Sequence, residues 1–416
     1  MSHVIKIYSL LIGSALLMFG GGLQGLVLSV RGAEEHFSLT ALGLIGTGWS
    51  VGYVAGSITV PMLVKRVGHI RAYSVMAAIG TITILCNLLL VNDIAWIILR
   101  ALSGYCFAGA AMIVESWLNE VTDNRSRGTI FSLYSAINMT ASTIGQLAMA
   151  VTGTIGDIPF VVGAISFICA LLPTALTTKP QPRPLQSARL DLKLLYTTSP
   201  VAAIAAFSIG MANGTFGTLA PVYGYSQKLD AASISYLMAL PVIAGAVFQI
   251  PVGRLSDKMD RRKVIIALSL VAAVMGALLV LLDPRNGPLL YVLFGIYGLC
   301  AYPLYGIAVA HANDSAQEGD FAKISGGMLL IMGVGLAIGP AIAPILMNSM
   351  RPVAMFIVTA AFHGALATST ILRMLARPNR LAKRSRFWPI FSEKAQTPET
   401  VVLDPRSDEE SVQQVL

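Results

Sequence analysis

The chain has 416 residues, 55% of them hydrophobic and only 12% charged. A soluble globular protein carries about 25% charged residues, and half that supply cannot cover a surface of this size. With a mean hydropathy of +0.71, this excludes an ordinary soluble enzyme and a disordered chain. The net charge of +8 does not indicate nucleic acid, because the basic residues fall in the loops between apolar runs.

A bilayer core of about 30 Å needs about 20 apolar residues of helix. Twelve such stretches follow one another: 7–30, 42–64, 72–91, 94–117, 129–152, 159–178, 201–222, 233–252, 264–282, 289–311, 324–347 and 353–372. They are too long and too uniformly apolar for the alternating strands of a membrane barrel. The expected fold is therefore an all-α membrane protein with twelve transmembrane helices. The first stretch lacks a small-residue cleavage site and reads as a retained span. The cysteines, Cys86, Cys106, Cys169 and Cys300, lie in apolar runs without metal-ligand spacing or a disulfide framework, so no metal or cofactor is expected.

Of the 29 Lys and Arg, 24 lie before span 1 or after spans 2, 4, 6, 8, 10 and 12. The opposite loops hold Arg31, Lys228, Arg285 and Arg351, and one basic residue, Arg100, lies inside a span. Basic residues stay cytoplasmic, which places both termini inside. The proline-rich loop 179–200 divides the spans six and six, and the halves echo each other in order. Gly21-Gly22-Leu23-Gln24-Gly25 matches Gly210-Met211-Ala212-Asn213-Gly214; Gly104 and Cys106 match Gly298 and Cys300; Asn119-Glu120 matches Asn313-Asp314; Gly145-Gln146 matches Gly339-Pro340. A duplicated six-helix unit around a midplane cavity is a transporter architecture. The expected domains are 1–178, a cytoplasmic linker 179–200, 201–373, and a tail 374–416 whose acidic end reads as disordered. Gly48, Gly52 and Gly56 form a stripe suited to close helix packing.

Three motifs bear on function. Between spans 8 and 9 stand Gly253, Asp257, Lys258, Arg261 and Arg262, in a pattern that resembles the Gly-x-Leu-x-Asp-Arg-x-Gly-Arg-Arg loop of the major facilitator superfamily. Asp260 replaces that family's glycine. The copy between spans 2 and 3 keeps Arg66, Gly68 and Arg71 but has Lys65 where the acid belongs. The resemblance implies a gate, with topology alone as the plainer reading of the charges. It places Asp257 near Gly128 and Thr129 at the start of span 5, with Arg125 or Arg127 close by. Such a latch favours the outward-open state, and Lys65, near Lys323, has no equivalent hold.

Arg100-Ala101-Leu102-Ser103-Gly104 resembles the superfamily's Arg-x-x-x-Gly, a motif linked to ion coupling. An intramembrane Arg costs a few kcal/mol or more unless it faces a cavity or partner. Glu115 lies about 22 Å further along the same helix. It reads either as a proton carrier or as an acid tied to Arg66 or Arg125.

Glu115-Ser116-Trp117-Leu118-Asn119 in span 4 is similar to the narrower YcaD-like group, as are Tyr302-Pro303-Leu304-Tyr305 and His311-Ala312-Asn313-Asp314 in span 10. In the superfamily spans 1, 4, 7 and 10 line the cavity, which implies a substrate site built from Gln24, Arg100, Asn213, Tyr302 and Tyr305. The alternative for each amide is an interhelical hydrogen bond. His363 in span 12 reads as structural.

The resemblance implies a proton-coupled secondary transporter of a small organic solute, neutral or anionic since no acid lies near the midplane. It implies a monomer in a bacterial inner membrane. A passive facilitator of the same fold and a non-transporting sensor or scaffold are the alternatives.

Overall fold

In an apolar medium every backbone N–H and C=O must be satisfied within the protein, and a helix does this within its own segment. The computed structural model describes residues 2–121, 127–175, 191–316, 320–376, 387–388 and 396–404, and among them there is no strand. The first half comprises α1 (Ser2–Glu34), α2 (Leu39–Val67), α3 (His69–Leu89), α4 (Asp93–Val121), α5 (Arg127–Thr152) and α6 (Ile158–Ala175). A short α7 (Leu192–Thr198) precedes α8 (Pro200–Ser226), α9 (Ala231–Lys258), α10 (Arg261–Leu282), α11 (Pro288–Ala301), α12 (Pro303–Asp314), α13 (Phe321–Ser349) and α14 (Met355–Ala376). A last helix, α15, covers Pro398–Leu403.

Among the described residues ten helical segments, against the twelve stretches expected, are long and apolar enough to cross a membrane; α11 and α12 together make one of them, α5 is not among them, and the apolar part of α6 is shorter. Three features differ from the sequence expectation. The tenth stretch is interrupted at Tyr302, because Pro303 has no N–H to continue the ladder. The linker 179–200 contains α7, capped by Asp191, which accepts the Leu194 N–H, and Leu195 of α7 packs beside Gly327 of α13. The tail contributes α15, started by a capping box between Thr397 and Thr400 with Pro398 at its first position.

Helix packing follows the repeated glycines. In the first half α1 packs on α5 and α6, α2 on α4, and α3 on α4 and α6. The corresponding pairs recur in the second half: α8 with α13 and α14, α9 with α11, and α10 with α11 and α14. The matched glycines sit at matched crossings. Gly104 lies against the Trp49 backbone and Gly298 against the Pro241 backbone. Gly145 lies against the Phe19 carbonyl and Gly339 against the Met211 carbonyl. The Gly48–Gly52–Gly56 stripe presses α2 onto the Ile97, Ala101 and Tyr105 carbonyls of α4, since only a residue without Cβ admits so close an approach.

The halves meet through α2 against α13, α5 against α9 and α1 against α8. At the end of the bundle where α2 starts and α13 finishes, here the far end, the contact is tight. Thr47 Oγ1 donates to the Ala337 carbonyl (2.7 Å), Ser50 Oγ to the Leu336 carbonyl (3.2 Å) and Asn348 Nδ2 to Thr40 Oγ1 (3.3 Å). Gly43 abuts the Pro340 carbonyl. At the opposite end, here the tail end, residues 387–388 and 396–404 lie against the helices.

A Cβ at Gly52 would collide with the Ala101 carbonyl. Gly52→Leu is therefore expected to destabilise the purified protein by about 1–3 kcal/mol, the usual cost of overpacking, read as a lower thermal midpoint in detergent. Gly364→Ala, whose Cβ would meet nothing within 4 Å, is expected to leave the midpoint unchanged.

Candidate functional site

The cavity encloses about 200 Å³ between the halves and is walled by both of them. Gly25, Trp49, Arg100 and Gln146 contribute from the first half, Thr218, Met238, Tyr302 and Leu336 from the second. Arg100 is the charged group in this wall and is 8% exposed. Its Nη1 donates to Gln24 Oε1 (3.1 Å), and its guanidinium lies 5.7 Å from the centre of the Trp49 ring. Ser103 Oγ donates to the same Gln24 oxygen (3.2 Å). Gln24 thus supplies a doubly used acceptor, and its buried Nε2 is left with no acceptor. No carboxylate pairs with Arg100 among the described residues.

Arg100 and Tyr302, two of the five residues expected at the site, line this cavity. Gln24 belongs to it by holding Arg100. Asn213 and Tyr305 are buried in α8 and α12 and do not line it. Sequence reasoning missed Trp49, Ser142 and Thr218. Position 49 carried a usable signal: it is next to Gly48 in the stripe that presses α2 onto α4. His363 lies away from the cavity, its Nε2 3.3 Å from the Tyr297 hydroxyl.

A second polar cluster lies at the tail end of α4. Glu115 is fully buried and meets no basic residue among the described ones. It accepts hydrogen bonds from the hydroxyls of Tyr134 (2.7 Å), Thr400 (2.8 Å) and Thr397. One turn on, Asn119 Nδ2 donates to the Glu399 carbonyl (3.3 Å) and carboxylate (3.2 Å), and the Tyr53 hydroxyl donates to the Gln396 carbonyl (3.0 Å). The expected tie to Arg66 is replaced by these hydroxyls, since Arg66 is exposed; Arg125 lies outside the described residues. Arg100 and Glu115 therefore occupy separate environments on one helix.

The third cluster is the loop between α9 and α10. Arg261, 2% exposed, pairs with Asp257 (2.9 Å) and Asp314 (2.8 Å) and donates to Ser256 Oγ (2.9 Å). Asp260 caps α10 by accepting the Arg262 N–H (3.0 Å) and pairs with the Arg262 guanidinium (2.8 Å). Burial opposes its charge, but the bonds from Arg262 outweigh this and hold its carboxyl below the usual carboxylate range. Asp257 also accepts the Phe387 N–H (3.0 Å), a tail partner that sequence reasoning did not anticipate. Among its expected neighbours, Arg125 and the side chain of Arg127 lie outside the described residues. Gly253 lies against the Phe387 ring. Lys258, Lys65, Arg66 and Arg71 are exposed, Lys323 pairs with Asp320, and Gly68 joins α2 to α3 at φ +85°, a conformation that favours glycine.

The family model described as the Major Facilitator Superfamily matches residues 10–231 and again 202–403. The chain belongs to the major facilitator superfamily. It is 25% identical over 331 residues to the MFS-type transporter YcaD of Shigella flexneri and of Escherichia coli, covering 79% of this chain and 85% of each relative. Among solved structures it is similar to the nucleoside transporter NupG (TM-score 0.71, 15% identity, 88% of this chain and 98% of that one). It is also similar to an auto-inhibited POT family peptide transporter (TM-score 0.68, 14% identity, 93% and 99%). These structural likenesses are likenesses of fold. The chain is a multi-pass membrane transporter and not an enzyme.

The Arg100–Gln24 contact gives a direct test. A hydrogen bond to a charged group contributes about 1.5–3 kcal/mol. Gln24→Leu is expected to destabilise the purified protein by an amount in that range. Arg100→Met combined with Gln24→Leu should recover most of it, giving a coupling above 1 kcal/mol (~1–3) in a double-mutant cycle.

Proposed function

We propose that this chain is a secondary active transporter of the bacterial inner membrane. It moves a small organic solute by alternating access, is coupled to protons and works as a monomer. The observation that carries this reading is a buried arginine in a cavity walled by both halves of the molecule. The recurrence of five helix pairings in the two halves supports twelve spans in two six-helix bundles, over 1–178 and 201–373. The rest is a linker at 179–200 and a tail at 374–416. Arg100 and Glu115 are the proposed coupling residues. Gln24, Arg100 and Tyr302 are proposed at the solute site; Asn213 and Tyr305 support its wall from behind.

Basic residues stay cytoplasmic, so the tail end faces inward and both termini are cytoplasmic. The sealed far end then faces outward. This is the reverse of the outward-open state that an Asp257 latch was expected to favour, and here Asp257 is engaged by Arg261 and the tail. The loop around Gly253, Asp257, Lys258, Arg261 and Arg262 acts as a gate by bracing α9, α10 and α12. Its first-half copy at Arg66, Gly68 and Arg71 lacks the acid, and both arginines are exposed.

Two experiments test the proposal. Proteoliposomes loaded with a pH dye are challenged with a metabolite panel. At least one solute is expected to drive proton movement with the wild type, and Arg100→Lys and Glu115→Gln to abolish it, since Lys keeps the charge but loses the planar fork. Solute movement without proton flux identifies a passive facilitator instead. For topology, cysteines at Ser187 and Ser407 in a cysteine-free background are expected to resist an impermeant thiol reagent in intact cells. Cysteines at Ala33 or Gln227 are expected to react; the reverse pattern contradicts the orientation.

A further inference from the structure

We propose that the cavity takes a small carboxylate with an apolar body, an assignment that rests on the transporter reading of the same cavity. The cavity presents a cation without an anion. Arg100 has five N–H donors, and the acceptor it meets is Gln24 Oε1. No protein carboxylate compensates it among the described residues. Buried charges are normally paired, so the missing anion is supplied from outside. Beside it, Gln24 Nε2 is a second buried donor without an acceptor. The guanidinium N–H donors that Gln24 leaves unused suit the two oxygens of a carboxylate, and Arg100 lines the cavity where one would sit.

The remaining wall sets the body of the solute. Met18, Leu26, Ile45, Phe107, Met238 and Leu336 give the wall an apolar face, the neutral Ser142, Gln146 and Thr218 complete it, and Arg100 is the charged residue of the lining. The Trp49 ring lies 5.7 Å from the guanidinium and holds it at the wall. An ammonium is refused by Arg100. A neutral amide of the same shape loses the charge-assisted bond.

The test is calorimetric binding to the purified full chain of 3-phenylpropionate, its amide and 3-phenylpropylamine, with hexanoate and hexanamide as a second pair. Each acid is expected to bind about 10–100-fold more tightly than its amide, the effect of one charge-assisted hydrogen bond, and the amine is expected not to bind. Arg100→Gln is expected to bring acid and amide to within threefold of each other. Equal binding of acid and amide in the wild type, preference for the amine, or no binding by any of the five overturns the assignment without recourse to a variant. Counterflow of labelled 3-phenylpropionate, in proteoliposomes of the full chain and of the chain ending at Arg386, separates the two readings. Binding without counterflow by either chain removes the transporter and keeps the site. Counterflow of the amide alone keeps the transporter and removes the carboxylate.

The tail carries an independent inference. We infer that Phe387 and Gln396–Asp404 form an autoinhibitory plug in the tail end of the bundle. The segment touches both halves at once. On the first half it engages Tyr53, Glu115 and Asn119; on the second it engages Gly253, Asp257 and Gly306, and α15 packs on α13. Thr397 and Thr400 are almost fully buried, with hydroxyls on Glu115. The Phe387 ring fills the space above Gly253 and Gly306, where a Cβ on Gly306 would come within 3.3 Å of it. Closing this end requires the segment to leave, and Glu115 exchanges a proton with the tail-end solution only in the fraction of molecules whose segment is displaced, so the full chain transports slowly.

Modification of Glu115 by dicyclohexylcarbodiimide, read by peptide mass spectrometry, tests this. The chain ending at Arg386 is expected to react at least tenfold faster than the full chain, and Thr397→Val with Thr400→Val in the full chain to show an intermediate rate. Adding a synthetic peptide covering 387–404 to the shortened chain is expected to slow the reaction again. An equal or slower rate in the shortened chain overturns the plug.

Discussion

One guanidinium organises this molecule. Arg100 lies on a helix that is otherwise apolar for most of its length, and a charge in that position is tolerated only where something meets it. Gln24 and Trp49 meet it from α1 and α2. For those side chains to arrive, α2 must lie almost backbone to backbone on α4, which is what Gly48, Gly52, Gly56 and Gly104 permit. The cavity is therefore a consequence of glycine packing on one side of α4 and of the separation between the halves on the other. Enlarging any of those glycines moves the ring and the amide that keep the charge in place.

The two ends of the bundle are built differently. At the far end the halves touch through hydroxyls donating to backbone carbonyls, from Thr47 and Ser50 to Ala337 and Leu336. Both acceptors lie close to Pro340, within a helix that also contains Pro344. A proline leaves a carbonyl one turn earlier without its helical N–H, and Leu336 stands at that place. The far-end contact is thus made of single neutral hydrogen bonds that can part without stranding a charge. At the tail end the charges are satisfied within the second half, by Arg261 with Asp257 and Asp314, and the space between the halves is held by a separate segment. This division lets one end open while the charged network stays intact.

Much of this was legible in the sequence. Hydropathy marked an all-helical membrane chain, because apolar length is a local property; it counted twelve spans where ten helical segments of the described residues are long and apolar enough to cross. The glycine matches between the halves foretold the crossings at which they now sit, since only small residues serve at such approaches. Arg100 was marked by the cost of burying it. What could not be read were contacts made at long range. Asn213 and Tyr305 were placed in the cavity wall by analogy with their helices, but rotation about a helix axis decides which face is inward, and spacing alone does not fix it. Trp49 carried no polar signature, and only its place beside Gly48 in the glycine stripe marked it. The tail was read as disordered because of its acidic end; Thr397-Pro398 already had the chemistry of a helix start, yet nothing local said that its hydroxyls would find Glu115, more than 280 residues away in sequence. The break at Tyr302 was written in Pro303 and was overlooked because hydropathy runs through it.

The account stands on the two halves moving as units about the cavity. Pulsed electron spin resonance distances measure this directly, with one spin-label pair at the far end on Ser38 and Ser349 and another at the tail end on Arg66 and Lys323, in proteoliposomes, on the full chain and on the chain ending at Arg386. The full chain is expected to give a short far-end distance and a long tail-end distance. The shortened chain is expected to enlarge a second, minor population in which the far-end distance lengthens and the tail-end distance shortens together. A single unchanged distance at both ends in both chains would contradict alternating exposure of the cavity.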